Sequence, residues 1–369
     1  MKQFLICIVV VVMCALPIAA QNYSLSVDEP VVPDTVGWIT ALKQGKLDFN
    51  DSTIRYPRAM RAGYNSLQWY NRTFNNYDTA YVGSVDKLWR ITVKNENWID
   101  DYDCRPFPNT LFSFHSGVTS ILGAYLSVAG ISLGYSADVD LFFRNKPTSK
   151  KLEFSINCAL FTAEYWRTTN RGKMYLKLRD EEEKETYRYK DFEGLFRRSW
   201  GLNVYYFFNH RQYAQAAAYS FSKIQLRDAG SPLVGFNITH QNFSFRPGLI
   251  NNWDDMALWD DMEEETLFDY TDYCLSGGYA YNWVLGNNWL LNGTALVHAG
   301  VKHAHSASTS DGGGNFFSLN SKLRACALYR THGFFISAQG YLDTRFFNTG
   351  RYHFRSFLID FALVTGVSF

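Results

Sequence analysis

The sequence predicts an all-β fold, a transmembrane antiparallel up-and-down β-barrel of about 12 strands with an N-terminal irregular or partly helical lead-in. Three observations predict it: a secretory leader, a two-residue alternation of apolar and polar residues, and a richness in aromatic side chains. Hydrophobic residues make up 47% and aromatic residues 17% of the 369-residue chain, yet the mean hydropathy is −0.22. Polar residues therefore interrupt the apolar ones at short intervals, which is typical of strands with one lipid-facing side.

The N-terminus has the order of a secretory signal peptide, assigned to residues 1–20. Lys2 precedes an apolar run over residues 4–16, and the small pair Ala19-Ala20 follows it. That order of charge, apolar core and small residues indicates export and cleavage. The apolar run is shorter than the roughly 18 residues of a spanning helix, which disfavours a permanent helical anchor. Together with the strands, export predicts localisation in the outer membrane.

The last strand of the chain carries the clearest pattern. Over residues 357–369 every second residue is apolar except Thr365, while the residues between them include Asp360 and Ser368. This two-residue period gives one greasy face, and the run exceeds the about 9–11 residues that a tilted membrane strand needs. The terminal Phe369 resembles the C-terminal insertion signal of bacterial outer-membrane barrels, which implies recognition by the barrel assembly machinery.

The same alternation recurs along the chain, with turn residues between the runs. The predicted strands lie near residues 86–97, 110–118, 122–136, 150–166, 198–209, 212–224, 232–245, 273–283, 289–299, 317–329, 334–343 and 357–369. Their even number is what single-chain bacterial barrels need.

Loop lengths predict the orientation, because such barrels have short periplasmic turns and long outer loops. With the C-terminus at the periplasmic end, the short turns at Gly286 and His332 fall on that side, and the segments 246–270 and 303–314 fall outside. The charged stretch 171–198 then falls on the periplasmic side, against the rule. Either a strand pair is missing from the count or this loop is an exception.

The segment between the signal peptide and the first strand, residues 21–85, shows no clear alternation. It has helix-compatible spacing from Thr40 to Leu47 and a tyrosine-rich stretch from Tyr56 to Tyr81. We expect either a periplasmic lead-in or a plug of the barrel lumen, and both interpretations remain open at this point. The barrel itself is expected over residues 86–369.

Two blocks of the sequence resemble a known family. The first runs from Asn71 to Val82 and leads into a strand at Leu88, and the second runs from Gly201 to Asn209 and continues to Gly235. They resemble the leading segment and a later block of a Bacteroidota family described as a domain of unknown function, number 4421. The resemblance covers most of the chain after about residue 70. It implies an outer-membrane barrel with no assigned activity, so no catalytic residue is carried over.

The polar face of the C-terminal half predicts a lumen lining. A lysine or arginine on the lipid face costs about 2–4 kcal/mol at the midplane, so these charges must face inward. Lys322 and Arg324 could pair with Asp343 and Asp360, either to stiffen a plugged barrel or to shape an aqueous pore. The predicted lumen-lining residues are Asn292, His298, Asn320, Lys322, Arg324, Gln339, Asp343 and Asp360.

The sequence supports no catalytic residue, cofactor or metal site. His115 and Ser116, adjacent in one strand, would point to opposite faces and form no dyad. His303 and His305 would lie on one side of an extended segment, but a third metal ligand is lacking. The acidic residues within 246–270 do not match the spacing of a calcium loop and are expected to be solvated.

Three classes of function follow from these expectations. We favour a structural or adaptor barrel in the cell envelope, with a porin-like channel for small solutes as the first alternative and an envelope-lipid hydrolase, which would use His298 or His115, as the second. The expected partners are outer-membrane lipid, lipopolysaccharide, the assembly machinery and an unknown envelope protein. A net charge of +1 gives no sign of a nucleic-acid partner.

Overall fold

The structure is a computed structural model of the whole chain, and it divides the chain into two compact units, residues 1–76 and 77–369. It describes residues 36–43, 51, 53–85, 87, 89–107, 110–128, 130–139, 149–171, 174–180, 186–192, 195–245, 266–286, 288–305, 314–349 and 352–369. The predicted signal peptide and the acidic cluster within 246–270 lie outside these residues. Within the described ranges, no helix is both long enough and apolar enough to cross a membrane.

The first unit is small and partly helical. It contains β1 (Val36–Gly37), α1 (Trp38–Lys43), β2 (Ile54–Arg55) and α2 (Arg58–Phe74), and β1 pairs in parallel with β2. Ile54 and Tyr56 are buried, and Trp38 and Met60 pack against them. The partly helical lead-in predicted from the sequence is therefore confirmed.

The second unit is almost entirely strand. Its elements are β3 (Val82–Ser84), β4 (Trp89–Phe107), β5 (Thr110–Ser116), β6 (Thr119–Val128), β7 (Ile131–Asp138), β8 (Ser149–Asn157), β9 (Phe161–Asn170), β10 (Met174–Asp180), β11 (Thr186–Phe192), β12 (Leu195–Phe207), α3 (Gln215–Ala218), β13 (Lys223–Gln225), β14 (Ala229–Phe245), β15 (Thr266–Leu285), β16 (Trp289–Ala304), β17 (Asn315–Arg330), β18 (Phe334–Thr349) and β19 (Tyr352–Ser368).

Twelve of these strands close into a barrel. Their order around the wall is β4-β6-β7-β8-β9-β12-β14-β15-β16-β17-β18-β19, and β19 pairs back with β4 to close it. Every neighbouring pair in this ring is antiparallel. Closure removes the sheet edges that lipid cannot satisfy with hydrogen bonds. The predicted fold class, a 12-strand antiparallel barrel, is confirmed.

The two ends of the barrel differ in their connections. At the end that carries Phe369, here called the turn end, Gly286 and Gly333 turn the chain with positive φ angles of 72° and 112°, which glycine adopts without a steric penalty. At the opposite end, here called the loop end, β10 pairs with β5 and β11, and β5 pairs with β4. These three strands extend the sheet beyond the barrel wall.

The predicted number of strands is right, but four of the predicted strands are wrong. The segments 122–136 and 150–166 each form two strands joined by a tight hairpin, and 110–118 contributes β5, which lies outside the ring. At the first hairpin Gly130 has a φ of 92°. Apolar residues continue on both sides of each hairpin, which hid the turns.

The fourth wrong strand is 212–224, which forms no part of the wall. Its core, residues 213–218, is buried, so its apolar residues reflect enclosure inside the barrel and not a lipid-facing strand. Once this segment is removed from the count of wall strands, the direction predicted for the strands before it reverses. Asn170 pairs with Arg197, so the connection between β9 and β12 starts and ends at the loop end. The charged stretch 171–198 is therefore at the loop end, and the expected placement beside the short turns is corrected.

Burial alternates along the wall as the sequence predicts. On β19, Phe361 and Leu363 are 48% and 47% exposed, whereas Ala362 and Val364 between them are 2% and 3% exposed. The outer face carries large apolar and aromatic side chains on every strand from β14 to β19. The inner face carries small, polar and charged side chains, which is the arrangement of a barrel whose exterior meets lipid.

Candidate functional site

The lumen is blocked at the turn end by an inward-folded connection, residues 208–228, here called the plug segment. It joins β12 to β14 and contains α3 and β13. Ala214, Ala217 and Ala218 are fully buried against the inner wall, where Leu290 and Leu328 form part of the same apolar cluster. Small residues suit this place because the backbone of the plug segment must approach the wall closely.

The start of the barrel unit completes the plug. β3 pairs with β13 in an antiparallel ladder, and the backbone N–H of Leu226 donates to the carbonyl of Tyr81 at 2.7 Å. Val82 is buried in the cluster that holds the alanines of the plug segment. Residues 77–84, which the sequence placed in a lead-in or plug, thus form part of the plug.

Phe221 in the plug segment has an unusual backbone conformation and contacts the wall. Its φ angle is 57°, in the left-handed region that costs an L-residue roughly 1–2 kcal/mol. Its ring stacks on that of Phe335 with centroids 4.3 Å apart, and its carbonyl accepts a hydrogen bond from Arg330 at 3.1 Å. These contacts hold the chain in a conformation that it would otherwise leave.

Asn292, a predicted lumen residue, ties the wall to the plug segment. Its amide donates to Tyr213 Oη at 3.0 Å and to Asn282 Oδ1 at 2.8 Å, and its Oδ1 accepts from Tyr219 Oη at 2.9 Å. Asn282 in turn donates to the backbone carbonyl of Ala214 at 3.0 Å. Asn292, Asn282, Tyr213 and Ala214 are buried and Tyr219 is half-buried, so these bonds replace ones that water would otherwise make.

At mid-height an ion pair crosses the lumen. Arg324 on β17 donates two hydrogen bonds to the Glu164 carboxylate on β9, at 2.8 and 2.6 Å. Four strands separate β17 from β9 around one side of the ring and six around the other. The pair therefore joins opposite walls, in the two-point geometry that suits an arginine and a carboxylate.

A second charge cluster joins β4 to β8. Lys94 lies 3.1 Å from Glu96 and 3.4 Å from Glu153, and Lys151 lies 2.8 Å from Glu153 and also contacts Glu96. Tyr125 donates a hydrogen bond to Glu153. The two cations and two carboxylates of these strands balance one another in number.

The loop end of the lumen is narrowed by aromatic and charged contacts. Tyr102 on β4 packs edge-on against Phe243 on β14 with ring centroids 5.1 Å apart, although five strands separate β4 from β14 on either side of the ring. Arg197 reaches from β12 to Asp100 on β4 at 2.7 Å and donates to the Tyr102 hydroxyl. These side chains meet across the barrel.

Between the plug and these contacts lies a cavity of about 280 Å³. Five cationic side chains and six carboxylates line it, so its charge is mixed and gives no selectivity for one sign of ion. The charged lining residues are Lys94, Lys151, Arg197, Arg324, Arg345, Glu96, Asp100, Glu153, Glu164, Asp343 and Asp360.

All eight predicted lumen-lining residues lie on inward faces, and Lys322 lies opposite Asp343 in the ladder of β17 and β18, but the ion pairs within 4 Å join other partners. Arg324 pairs with Glu164, and Asp343 pairs with Arg345 at 2.9 Å. Lys322 lies 3.4 Å from the Tyr205 hydroxyl and over the Tyr341 ring. Asn292, His298, Asn320, Lys322 and Asp343 are buried, and Arg324, Gln339, Asp343 and Asp360 line the cavity. Alternation fixes which face a residue occupies, but the partner on the opposite wall depends on the closure of the ring.

Sequence reasoning missed the charged residues of the N-terminal strands. Glu164 and Lys151 lie on β9 and β8, whose hairpin the sequence did not reveal. The inward or outward orientation of these two residues was therefore not predicted. Lys94 and Glu96 had a visible signal, since they alternate with the lipid-facing Ile91 and Val93. The same alternation as on β19 therefore places both residues on the inner face of β4.

A serine and a histidine do meet inside the barrel. His298 Nδ1 lies 2.8 Å from Ser276 Oγ and 3.0 Å from Asn237 Oδ1. Ser276 and His298 are 5% and 4% exposed, and neither lines the cavity, so a substrate has no described route to them. The contact is one between interior residues of neighbouring strands and not a site on the lipid face.

His115 and Ser116 behave as expected for adjacent strand residues. His115 Nδ1 lies 3.3 Å from Asp101, whereas Ser116 Oγ accepts a hydrogen bond from the backbone N–H of Asp100 at 2.7 Å. The two side chains have separate partners and form no dyad.

The barrel sequence matches a known protein family. Residues 76–369 match the family described as "Domain of unknown function (DUF4421)". The chain belongs to this family. The DUF4421 match covers the whole barrel unit and confirms the resemblance drawn from the sequence blocks near residues 71–82 and 201–235. No curated protein matches the sequence.

Solved structures with a similar chain course include three at low identity. The outer membrane protease OmpT from Escherichia coli is 9% identical with a TM-score of 0.39, and the match covers 78% of this chain and 98% of that one. The beta domain of the Bordetella autotransporter BrkA is 9% identical with a TM-score of 0.33, covering 77% and 100%. The toluene transporter TodX from P. putida is 8% identical with a TM-score of 0.26, covering 80% and 92%. No activity is carried over from them to this DUF4421 chain.

Proposed function

We propose that this DUF4421 protein is a closed barrel of the outer membrane that serves as a structural or adaptor component of the cell envelope. The observation that carries the proposal is the plug segment, which fills the turn end of the lumen with buried alanines and aromatic rings. The Arg324–Glu164 pair crosses the lumen above it. A barrel obstructed at two levels is better suited to hold a position in the membrane than to pass solutes.

The membrane assignment rests on the outer face of the barrel. Exposed apolar side chains alternate with buried polar ones on β14 to β19, as lipid requires. The chain is inferred to be exported through cleavage of residues 1–20, to insert through the assembly machinery by way of Phe369, and to face the periplasm with its turn end. The Bacteroidota source implied by the resemblance is part of this proposal. Cell fractionation and N-terminal sequencing of the mature chain, expected to start at Gln21, test the assignment.

Planar-bilayer recording of the full-length mature barrel tests the closed lumen. We expect no stepwise conductance from the natural chain, because the plug segment fills the turn end. A variant in which residues 212–224 are replaced by a short Gly-Ser linker is expected to conduct, and one that also carries Arg324→Ser and Glu164→Ser is expected to conduct more. The matched control replaces residues 306–313, which follow His305 in the sequence, by the same linker and is expected to stay silent.

Stable conductance steps of the natural chain, equal to those of the variant without the plug, would support the small-solute channel and overturn the closed barrel. Silence of every variant despite correct folding would show that the plug segment is not what closes the lumen. Folding is checked by comparing heated and unheated samples in detergent gels, because a folded barrel migrates at a different rate from the unfolded chain.

The adaptor role predicts a protein partner in the envelope. Chemical cross-linking in intact cells followed by mass spectrometry is expected to give one stoichiometric envelope protein. Deletion of residues 21–75 leaves the DUF4421 region intact and tests whether the first unit holds that partner. If neither the full chain nor the shortened one yields a partner, the adaptor role fails and a purely structural role remains.

The hydrolase alternative has one specific observation behind it, the contact between Ser276 and His298. Its burial inside the wall argues against lipid chemistry, because phospholipid would reach the outer face. Turnover of phospholipid or lipopolysaccharide by the purified barrel, abolished by His298→Ala without loss of folding, would favour the hydrolase over the structural role.

A further inference from the structure

Three potential metal ligands converge on the outer face of the sheet at the loop end. They are His240 on β14, Asp269 on β15 and His305 directly after β16. One imidazole nitrogen of each histidine and one carboxylate oxygen of Asp269 lie within 4.8 Å of one another. Each comes from a different strand or its continuation, so the ring of the barrel and not the local sequence brings them together.

Strand register explains the convergence. His240 pairs with Thr271, and Thr271 pairs with His303, so the three form one row across β14, β15 and β16. Asp269 lies two residues from Thr271, and its carbonyl accepts a hydrogen bond from the His305 N–H at 2.8 Å. The row shares the outward face with Tyr273 and Val301, which are 44% and 46% exposed. The cluster therefore borders the apolar belt on the outside of the barrel.

Hydrogen bonds around Thr271 fix the orientation of both rings. Its Oγ1 lies 3.1 Å from His240 Nδ1 and 2.8 Å from His305 Nε2. A hydroxyl has one proton, so it donates to one ring and accepts from the other. When His240 donates from Nδ1, its Nε2 presents a lone pair, and that atom lies 3.5 Å from Asp269 Oδ1. A lone pair and a carboxylate oxygen repel each other unless a proton or a cation lies between them.

The carboxylate has one oxygen without a partner. Asn242 donates to Asp269 Oδ2 at 3.4 Å, whereas the buried Oδ1 has no hydrogen bond within the described residues. A buried acceptor left unpaired costs about 1–3 kcal/mol, so the arrangement favours a ligand at this oxygen. It is the oxygen that faces His240.

Neighbouring rings support the cluster from outside. Trp200 stacks on His240 with centroids 5.7 Å apart, and His303 stands edge-on to His305 at 4.7 Å. His303 is held by Asn315, whose Oδ1 lies 2.8 Å from its Nδ1. These ring contacts restrict the rotation of His240 and His305.

We propose that His240, Asp269 and His305 bind one first-row transition-metal ion such as Zn²⁺, with an open coordination position toward solvent. Two imidazole nitrogens and one carboxylate oxygen form a set that zinc and its neighbours bind well. With bonds of about 2.0–2.2 Å, tetrahedral ligand atoms lie about 3.4 Å apart, so the widest pair must close by roughly 1.4 Å. The His305 side chain is exposed and those of His240 and Asp269 are half-buried, so small rotations allow this closure when the metal replaces part of the contacts to Thr271. The proposal does not depend on whether the lumen is open.

Zinc binding to the full-length barrel in detergent, prepared without a histidine tag, tests the site. Isothermal titration calorimetry is expected to give one Zn²⁺ per chain, and Co²⁺ is expected to give the intense visible bands of a four-coordinate site with nitrogen ligands. His240→Ala, His305→Ala and Asp269→Asn are each expected to weaken Zn²⁺ binding by at least tenfold, as loss of a direct ligand requires. His332→Ala, which removes an exposed histidine at the turn end, is the matched control and is expected to bind Zn²⁺ as the natural chain does.

The site is refuted if the natural chain binds Zn²⁺ no more tightly than the three ligand variants. It is also refuted if His332→Ala weakens binding as much as they do. Weakening by His303→Ala to the same extent as by His240→Ala would add His303 as a fourth ligand. The natural chain tests the site without any variant: if it binds no Zn²⁺, the site is refuted even when a variant fails to fold.

Discussion

The turn end and the middle of the lumen are closed by different chemistry. At the turn end, the plug segment brings apolar and amide groups of one connection against the wall, and Phe221 and Phe335 stack there. In the middle, side chains of the wall itself meet, as in the pair of Arg324 and Glu164. The first closure is an insertion that could be removed from the chain, whereas the second is built into the strands.

This difference decides what each closure contributes. Apolar burial in the plug segment stabilises the barrel in proportion to the area removed from water. An ion pair that crosses the lumen contributes little net stability, because desolvation offsets the attraction, but losing one partner is costly. We therefore expect substitutions in the middle to act through unpaired charge and substitutions at the turn end to act through packing and local opening.

The largest effect is expected from Arg324→Met. It leaves the half-buried Glu164 carboxylate without its cation. An uncompensated charge at a fully buried site costs about 3–5 kcal/mol, and we expect a loss at the lower end of that range because the Glu164 side chain is 21% exposed. The measurement is the free energy of unfolding in urea for the barrel in lipid vesicles. The double variant Arg324→Met with Glu164→Gln is the control and should recover most of the loss. A double variant as unstable as the single one would show that the ion pair is net stabilising in its own right.

The sequence predicted the class of the fold because lipid imposes a simple pattern on the outer face. Each strand from β15 to β19 carries large apolar residues on its outward face, and each predicted lumen residue from Asn292 to Asp360 lies on the inner face. The short turns at Gly286 and His332 also lie at the end that carries Phe369, as expected. These features depend on local alternation and turn chemistry alone.

What the sequence could not show depends on contacts between distant residues. The partner of Arg324 is Glu164, 160 positions away, and no periodicity links them. The plug segment alternates enough to imitate a strand, since its buried residues are also apolar. His305 comes close to two further potential ligands, His240 and Asp269, only through the pairing of β14, β15 and β16. Each of these contacts forms only when the strands of the barrel pair with one another.

A smaller effect is expected from Asn292→Ala. The change removes the bonds of Asn292 to the hydroxyls of Tyr213 and Tyr219, although Tyr213 keeps its bond to Gln215. It also removes the donor to the buried Asn282 Oδ1, and an unpaired buried polar group costs about 1–3 kcal/mol. Because these hydroxyls belong to the plug segment, the variant is also expected to become sensitive to protease cleavage within residues 208–228. Both are measured on the barrel in vesicles, by urea unfolding and by limited proteolysis.

Asn320→Ala is the matched control for that opening. Asn320 is buried on the next strand but contacts Ser318 and Cys274 in place of the plug segment. It is expected to be cleaved no faster than the natural chain. Equal cleavage of both variants would mean that the plug segment is not held by the bonds of Asn292.

The smallest effect tests the backbone of the plug segment itself. Phe221→Gly and Phe221→Ala both lose the stacked ring, so they differ chiefly in the cost of the 57° φ angle. Alanine retains a left-handed penalty of roughly 1–2 kcal/mol, whereas glycine loses only about 0.5–1 kcal/mol of extra chain entropy on folding. We therefore expect the glycine variant to be the more stable by about 0.5–1 kcal/mol in urea unfolding. At Phe335, in a regular strand, the order should reverse, with Phe335→Ala more stable than Phe335→Gly. The same order at both positions would show that the left-handed conformation of Phe221 does not strain the plug segment.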